Sequence, residues 1–322
     1  MRYFLPGLAL LASGIVPGLA HAETIYVSNE KGNSISVIDG ATLQVTATWP
    51  VGKRARGITL SRDGKYLYLC ASDDNAVQVI DRATGKIVAD LPSGEDPEQF
   101  ALSPDGTLLF AANERDAAVT AIDVAKKTVA FQVDVGVEPE GMAVSPDGKF
   151  AVSTAETDNS VHWIDIVAQK DVAQTEVGDR PRHAEFTADG KSLWVSSEIG
   201  GMVQIIDTVT RRITGTIKFE IPGVFQDKIM PVGIRFTPDA KLAIVALGRA
   251  DAIAIVDVAS LKVTGYVPVG RRVWHSAIDG AGRRVFSANG LSDNVSVIDI
   301  ASSKVIATIP VGRAPWGVAI AP

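Results

Sequence analysis

One unit is written again and again along this chain. An apolar residue followed by aspartate recurs seven times, as Ile38-Asp39, Ile80-Asp81, Ile122-Asp123, Ile164-Asp165, Ile206-Asp207, Val256-Asp257 and Ile298-Asp299. Successive copies are 42, 42, 42, 42, 50 and 42 residues apart. A second marker keeps the same pace: SRDG at 61, SPDG at 103 and 145, TADG at 187, TPDA at 237 and DGAG at 279. Such a period constrains the fold more than composition does. Each unit must repeat one supersecondary structure and bury its faces against its neighbours.

The unit at residues 57–93 shows what that structure is. GITLS is short and half apolar, SRDG supplies a turn, and KYLYLCAS alternates. SDDN breaks the pattern, AVQVID alternates again, RATGK turns, and IVADLP follows. Four short alternating runs between polar turns, without a helical period, predict a four-stranded antiparallel meander. About 42 residues per four strands is the size of a propeller blade. Residues 24–50 hold only the last three strands of a unit, and RAPWGVAIAP at the other end matches only the first. The two ends therefore complete one blade between them. The fold class is all-β, a seven-bladed propeller whose ring is closed by a shared blade. The marker aspartate ends a strand just before its turn, where its carboxylate can accept turn N–H groups. Seven copies speak for structure rather than catalysis.

The propeller is expected over residues 23–322. Residues 1–22 read as a cleaved signal peptide: Arg2, the apolar run FLPGLALLASGIVPGL, then Ala20-His21-Ala22 with the small-x-small pattern of a cleavage site. The run is short and broken by Pro6 and Pro17, so a spanning helix is not expected, and the expected location is the periplasm. The whole chain carries −6, and removing Arg2 leaves −7, which gives no reason to expect nucleic acid as a partner. Cys70 is the one cysteine and sits where other units have Ser28, Ala112, Thr154, Ser196, Ala246 and Ala288. It reads as buried filler. A closed ring satisfies itself, so a monomer is expected.

The units resemble the YVTN-type β-propeller repeat, written here as Tyr26-Val27-Ser28-Asn29 and more loosely as Phe110-Ala111-Ala112-Asn113, with the SPDG turn and the VID run. The layout also resembles the propellers associated with pyrroloquinoline quinone (PQQ)-dependent catabolism. That resemblance implies company with a quinoprotein dehydrogenase as partner, and PQQ as a ligand. Fold alone does not assign function.

The residues that the repeat does not explain lie in the loops entering the inner strands: GKRARG, GEDPEQ, GVEPEG, GDRPRH, GRRVWH and GRAPWG. These open on one face, the top. Arg271, Arg272, Arg313, Lys53, Arg54 and Arg56, with Trp274, His275 and Trp316, predict a basic arc. Glu95, Asp96, Glu98, Glu138 and Glu140 predict an acidic arc facing it, joined by Glu30, Glu114, Glu156 and Glu198. One ring position holds Arg56, Glu98, Glu140, Arg182, Trp274 and Trp316, too varied for filler. The next position holds His183 and His275 where other units have glycine.

These eight residues are the candidate ligand site. Arginines would take carboxylates and indoles would stack on a flat anion. The two histidines could join Glu98 or Glu140 at a metal, but such histidines more often make structural hydrogen bonds, so no metal is expected. Loop charges that merely pair with one another are the simpler reading. Glu185 and Arg235 replace small residues on neighbouring inner strands and should pair near the axis. The extra residues of the 50-residue step fall in FEIPGVFQDKIMPVG, an apolar stretch able to lie over the axis as a lid.

CxxCH, HExxH, GxSxG and nucleotide-binding glycine patterns are missing from the sequence. The bipolar top face and the resemblance together make the leading expectation a non-enzymatic exported protein that binds a small anion or a partner of a quinoprotein system. The alternative is a propeller hydrolase or lactonase, with Glu98 or Glu140 as base and Arg56 or Arg182 holding an oxyanion. A bare scaffold is the third reading.

Overall fold

A computed structural model describes Met1 and residues 23–322. The leader expected over residues 1–22 thus lies outside the described residues, apart from Met1. The chain forms seven four-stranded antiparallel sheets. The first blade joins Pro315–Ala321 to Thr24–Asn29, Ser34–Asp39 and Gln44–Pro50. The second to seventh blades span 55–92, 97–134, 139–176, 181–218, 234–268 and 273–310. Among the described residues no helix is long and apolar enough to cross a membrane.

The ring closes as the repeat predicts. Thr24 faces Ala321, Ile25 faces Ile320, Tyr26 faces Ala319 and Val27 faces Val318 in antiparallel register. The apolar faces meet in the seams between blades. Tyr68, Val77, Val79 and Leu91 of the second blade pack against Leu109, Ala111 and Ile122 of the third. Cys70 lies fully buried in the same seam, where burial pushes its thiol well above the usual range, as expected of filler.

The turns behave as their residues require. Asp39 accepts hydrogen bonds from the backbone N–H groups of Ala41 at 3.0 Å and Thr42 at 2.7 Å. Asp81, Asp123, Asp165, Asp207, Asp257 and Asp299 each accept one from the residue three further on. Those bonds set the seven aspartates aside as turn residues.

The long loop does not behave as a lid. Phe219 and Ile229 are buried in the seam between the fifth and sixth blades, with Trp194, Ile217 and Val245. The inner strand of the sixth blade is only Ile234–Phe236. The loop's apolar residues fill the seam beside that short strand instead of covering the axis. Phe225, at the loop's tip, is 79% exposed.

Candidate functional site

Inner strands run from the top face down, so corresponding residues of successive strands form rings around the axis. The varied ring position reads, in spatial order, Trp316, Arg56, Glu98, Glu140, Arg182, Val232 and Trp274. Its members are joined to one another. Arg56 lies 5.8 Å over the Trp316 ring and makes a salt bridge to Glu98. Arg182 pairs with Glu140 and lies 5.5 Å from the Trp274 ring. Trp274 and Trp316 stack with their centroids 6.4 Å apart. The eight candidate residues are thus brought together, but their charges face each other rather than an open site. Glu98, Glu140 and Trp316 are almost completely buried.

The two opposed arcs expected from the sequence are absent for the same reason. Arg54, Arg56, Arg182 and Arg272 each reach a carboxylate of their own or a nearby blade. Arg56 donates to Glu30 at 3.2 Å. Arg182 donates to Glu198 at 2.8 Å and lies 2.8 Å from Glu156. Arg272 donates to Glu198 at 2.7 Å, with its guanidinium 3.8 Å from the centre of the Trp274 ring. Blade geometry places these side chains within reach, and a buried charge without a partner would be costly.

One level above, the charges are more accessible. Arg54 pairs with Asp96, donates to Glu98 at 2.8 Å and lies 3.8 Å from Glu114. A cleft of about 590 Å³ opens here, lined by Arg54, Asp73, Asp96, Glu114, Arg115 and Glu138. Burial, then the nearby charges of Glu140 and Asp96, push the Glu114 carboxyl above its usual range despite Arg56 and Arg54. Asp96, Glu98 and Glu114 bring their oxygens within 4.8 Å of one another, close enough to hold a cation. The Arg54 guanidinium already supplies that charge, so a metal ion would have to displace it.

Beside the cleft, Glu140 and Glu156 form a second carboxyl pair. Burial raises Glu156, and the charge of Glu140 raises it further. Burial acts on Glu140 too, but Arg182 outweighs it and holds Glu140 below the usual range. The opposite directions place a proton held by the pair on Glu156 rather than on Glu140.

Below the ring, hydrogen bonds run in one direction. Arg235 donates from Nη1 to Nε2 of His183 at 2.9 Å. His183 must then carry its proton on Nδ1, which lies 3.2 Å from Oε1 of Gln99. Gln99 donates in turn to the carbonyl of Arg182 at 3.2 Å. Burial first, then Arg235, keeps His183 neutral, although Glu185 opposes them. The expected pair of Glu185 and Arg235 is present at 2.8 Å. The two histidines lie with ring centres 5.4 Å apart, and His275 lies 4.2 Å from Trp316.

The accessible cleft lies one step above the ring that the sequence singles out. Arg54, Asp96 and Glu114 line the accessible cleft, whereas Arg56, Glu98, Glu140 and Arg182 sit beneath it. The signal was available, since the residue two before the chosen position also varies: Arg54, Asp96, Glu138, Arg180, Arg272 and Ala314. All six take a left-handed backbone conformation that turns the loop into the strand.

The family profile described as "Lactonase, 7-bladed beta-propeller" matches residues 21–134 and 139–308. No curated protein matches the chain. Among solved structures, hydrazine synthase of Kuenenia stuttgartiensis is similar at 21% identity and a TM-score of 0.79, over 91% of this chain and 99% of that one. A functionally unknown protein of Desulfotomaculum acetoxidans shares 16% identity at a TM-score of 0.79, over 92% and 98%. A Bacteroides uniformis protein provisionally assigned as a 6-phosphogluconolactonase shares 17% identity at a TM-score of 0.79, over 93% and 100%. At these identities the structures speak for the fold. The family match corrects the expectation of a non-enzymatic binding protein and points towards a hydrolase.

Proposed function

The chain belongs to the seven-bladed β-propeller lactonase family, and on that premise we propose that it opens a lactone ring by hydrolysis in the top cleft. The observation that carries this reading is Glu114. It is a carboxyl of raised basicity on an open cleft, 3.8 Å from the Arg54 guanidinium. As a carboxylate, Glu114 takes a proton from the attacking water. Hydroxide adds to the lactone carbonyl, and the negative charge that develops on its oxygen faces Arg54 or Arg115. The ring C–O bond then breaks, and Glu114 returns its proton to the departing ring oxygen. Water is consumed and a hydroxy acid is released. General base action and oxyanion stabilisation are each worth about 10²-fold or more in rate.

The alternative drawn from the sequence assigned the base to Glu98 or Glu140 and the oxyanion to Arg56 or Arg182. Their burial and mutual pairing favour moving these roles up to Glu114 and Arg54. Carboxylates outnumber guanidinium groups around the cleft. That balance favours a neutral, hydroxyl-bearing lactone over a phosphorylated one, and it disfavours a tricarboxylate such as PQQ. The periplasm remains the proposed setting, on the strength of residues 1–22.

The test is a pH-stat assay with gluconolactone and its 6-phosphate. The expected result is turnover of the neutral lactone, reduced by about 10²-fold or more in Glu114→Gln. Full activity in folded Glu114→Gln, or no turnover of either lactone by the unaltered protein, overturns the assignment.

A further inference from the structure

The axis also has a lower half, and none of the chemistry above uses it. Beneath Trp316 and His275 lies a cavity of about 80 Å³ whose walls include Gln99, Phe100, Arg235 and Val318. A wider opening of about 300 Å³ adjoins it along Ile58, Thr59, Arg235 and Val318, towards the bottom face. The wider part carries apolar side chains, Leu60, Ile278 and Ile320 among them, beside a polar share of surface that is slightly larger.

Three residues that line this passage carry nitrogen atoms without a protein partner. Trp316 is 2% exposed, and its Nε1–H has no hydrogen-bond partner among the described residues. His275 is 4% exposed, and its Nε2 has none either. Arg235 uses only Nη1, to Glu185 at 2.8 Å, His183 at 2.9 Å and the Ile234 carbonyl at 2.9 Å. Its Nη2 and Nε make no hydrogen bond among the described residues, and its side chain is 35% exposed. An indole N–H donates and cannot accept, and the free edge of a guanidinium presents donors alone. Buried donors of this kind call for an acceptor.

We propose that the lower axial passage is a second binding site, taking a small monocarboxylate whose carboxylate meets Arg235 and the Trp316 indole N–H while its alkyl end lies along Ile58, Ile278 and Val318. A guanidinium edge with a second donor suits the two oxygens of a carboxylate. Donors at one end and apolar side chains at the other suit a short alkyl chain that ends in a carboxylate. Glu185 engages Nη1 alone, which leaves the Nη2 and Nε edge of Arg235 without a carboxylate partner. Burial, followed by the charges of His183 and Arg235, keeps His275 neutral and disposed to join as a donor from Nε2. The site lies beyond the upper ring and stands whether or not the top cleft hydrolyses lactones.

Indole ¹⁵N–H resonances report this directly, without any activity measurement. The folded protein is titrated with butyrate and, separately, with butanol, and the Trp316 signal is assigned with Trp316→Phe. The expected result is a saturable shift of the Trp316 resonance with butyrate and a much smaller one with butanol. Arg235→Gln, which keeps an amide for Glu185, should weaken butyrate binding by roughly tenfold or more. Ala277→Leu narrows the wider opening while leaving every charged residue of the sequence unchanged, and should abolish the shift in a protein that remains folded. The proposal is overturned by the lack of a saturable shift below roughly 10 mM butyrate. Equal response to butanol overturns it as well, since the passage would then hold an apolar guest or water. So does a shift that survives in folded Ala277→Leu.

Discussion

Arg272 reaches past a whole blade to donate to Glu198 at 2.7 Å, although 74 residues of chain separate them. Both side chains are less than a tenth exposed. Glu198 also accepts from Arg182 at 2.8 Å, so one carboxylate ties the loop entering the fifth blade to the loop entering the seventh. Removing one partner of a buried pair leaves an unmatched charge. Glu198→Ala should therefore lower unfolding free energy by about 3–5 kcal/mol in denaturant titrations. The double variant with Arg272→Leu should lose less than the two single losses combined, because it strands fewer charges. Simple additivity would show that the pair is not coupled.

The opposite shifts of Glu140 and Glu156 give two opposite pH dependences. The carboxyl of Glu156 is raised in the folded state, by burial and then by Glu140. Its contribution to stability is complete below the ordinary carboxylate range and fades as pH rises through the raised value. Glu140 is lowered, by Arg182 against burial, so its contribution fades as pH falls through the lowered value. Glu156→Gln mimics the protonated form and should flatten the decline of stability on the alkaline side. Glu140→Gln should be destabilising at neutral pH, because it removes one of the carboxylates that balance the buried Arg182. Identical pH–stability curves for the two variants would refute this division of roles.

Glu114 predicts the acid limb of the activity profile. A base must be deprotonated to act, and burial with Glu140 and Asp96 holds this carboxyl above its ordinary range. Lactone hydrolysis should therefore rise with pH through a value above the roughly 4.3 of a free glutamate. Removing the Glu140 charge by Glu140→Gln should move that limb to lower pH. A limb that stays in place in the folded variant would assign it to another group.

Ring closure gives a test of cooperativity. Residues 315–321 supply the innermost strand of the first blade and pair with Thr24–Asn29. Deleting residues 315–322 should expose both flanking seams and replace one sharp unfolding transition with a broad one or with aggregation. A peptide of residues 315–322 added in trans should restore part of the lost sharpness. A truncated chain that unfolds as sharply as the full one would mean that closure contributes little.

The fold was legible because a repeat announces itself along a single chain. The seven Ile/Val-Asp markers gave the blade count, and the incomplete units at 24–50 and 313–322 gave the closure. Side-chain pairing across blades was much less so. Arg54 meets Glu98 over 44 residues and Arg182 meets Glu140 over 42, and which carboxylate an arginine reaches depends on ring curvature that no local pattern encodes. Glu185 and Arg235 were found because each breaks a rule of small residues at its position. The 219–233 loop misled because its apolar residues suit a cover and a seam equally well. Only the short inner strand at Ile234–Phe236 shows why the seam takes them.

The strand that closes the ring is the last of the 28 described strands to be synthesised. Neighbouring blades can begin to stack while the chain is still growing on the ribosome. The first blade cannot form until residues 315–321 have been made. Through all of synthesis, Thr24–Asn29 waits with one edge unpaired, a template for any other extended strand. The junction that makes the finished ring self-sufficient is thus also the point at which the nascent protein needs protection longest.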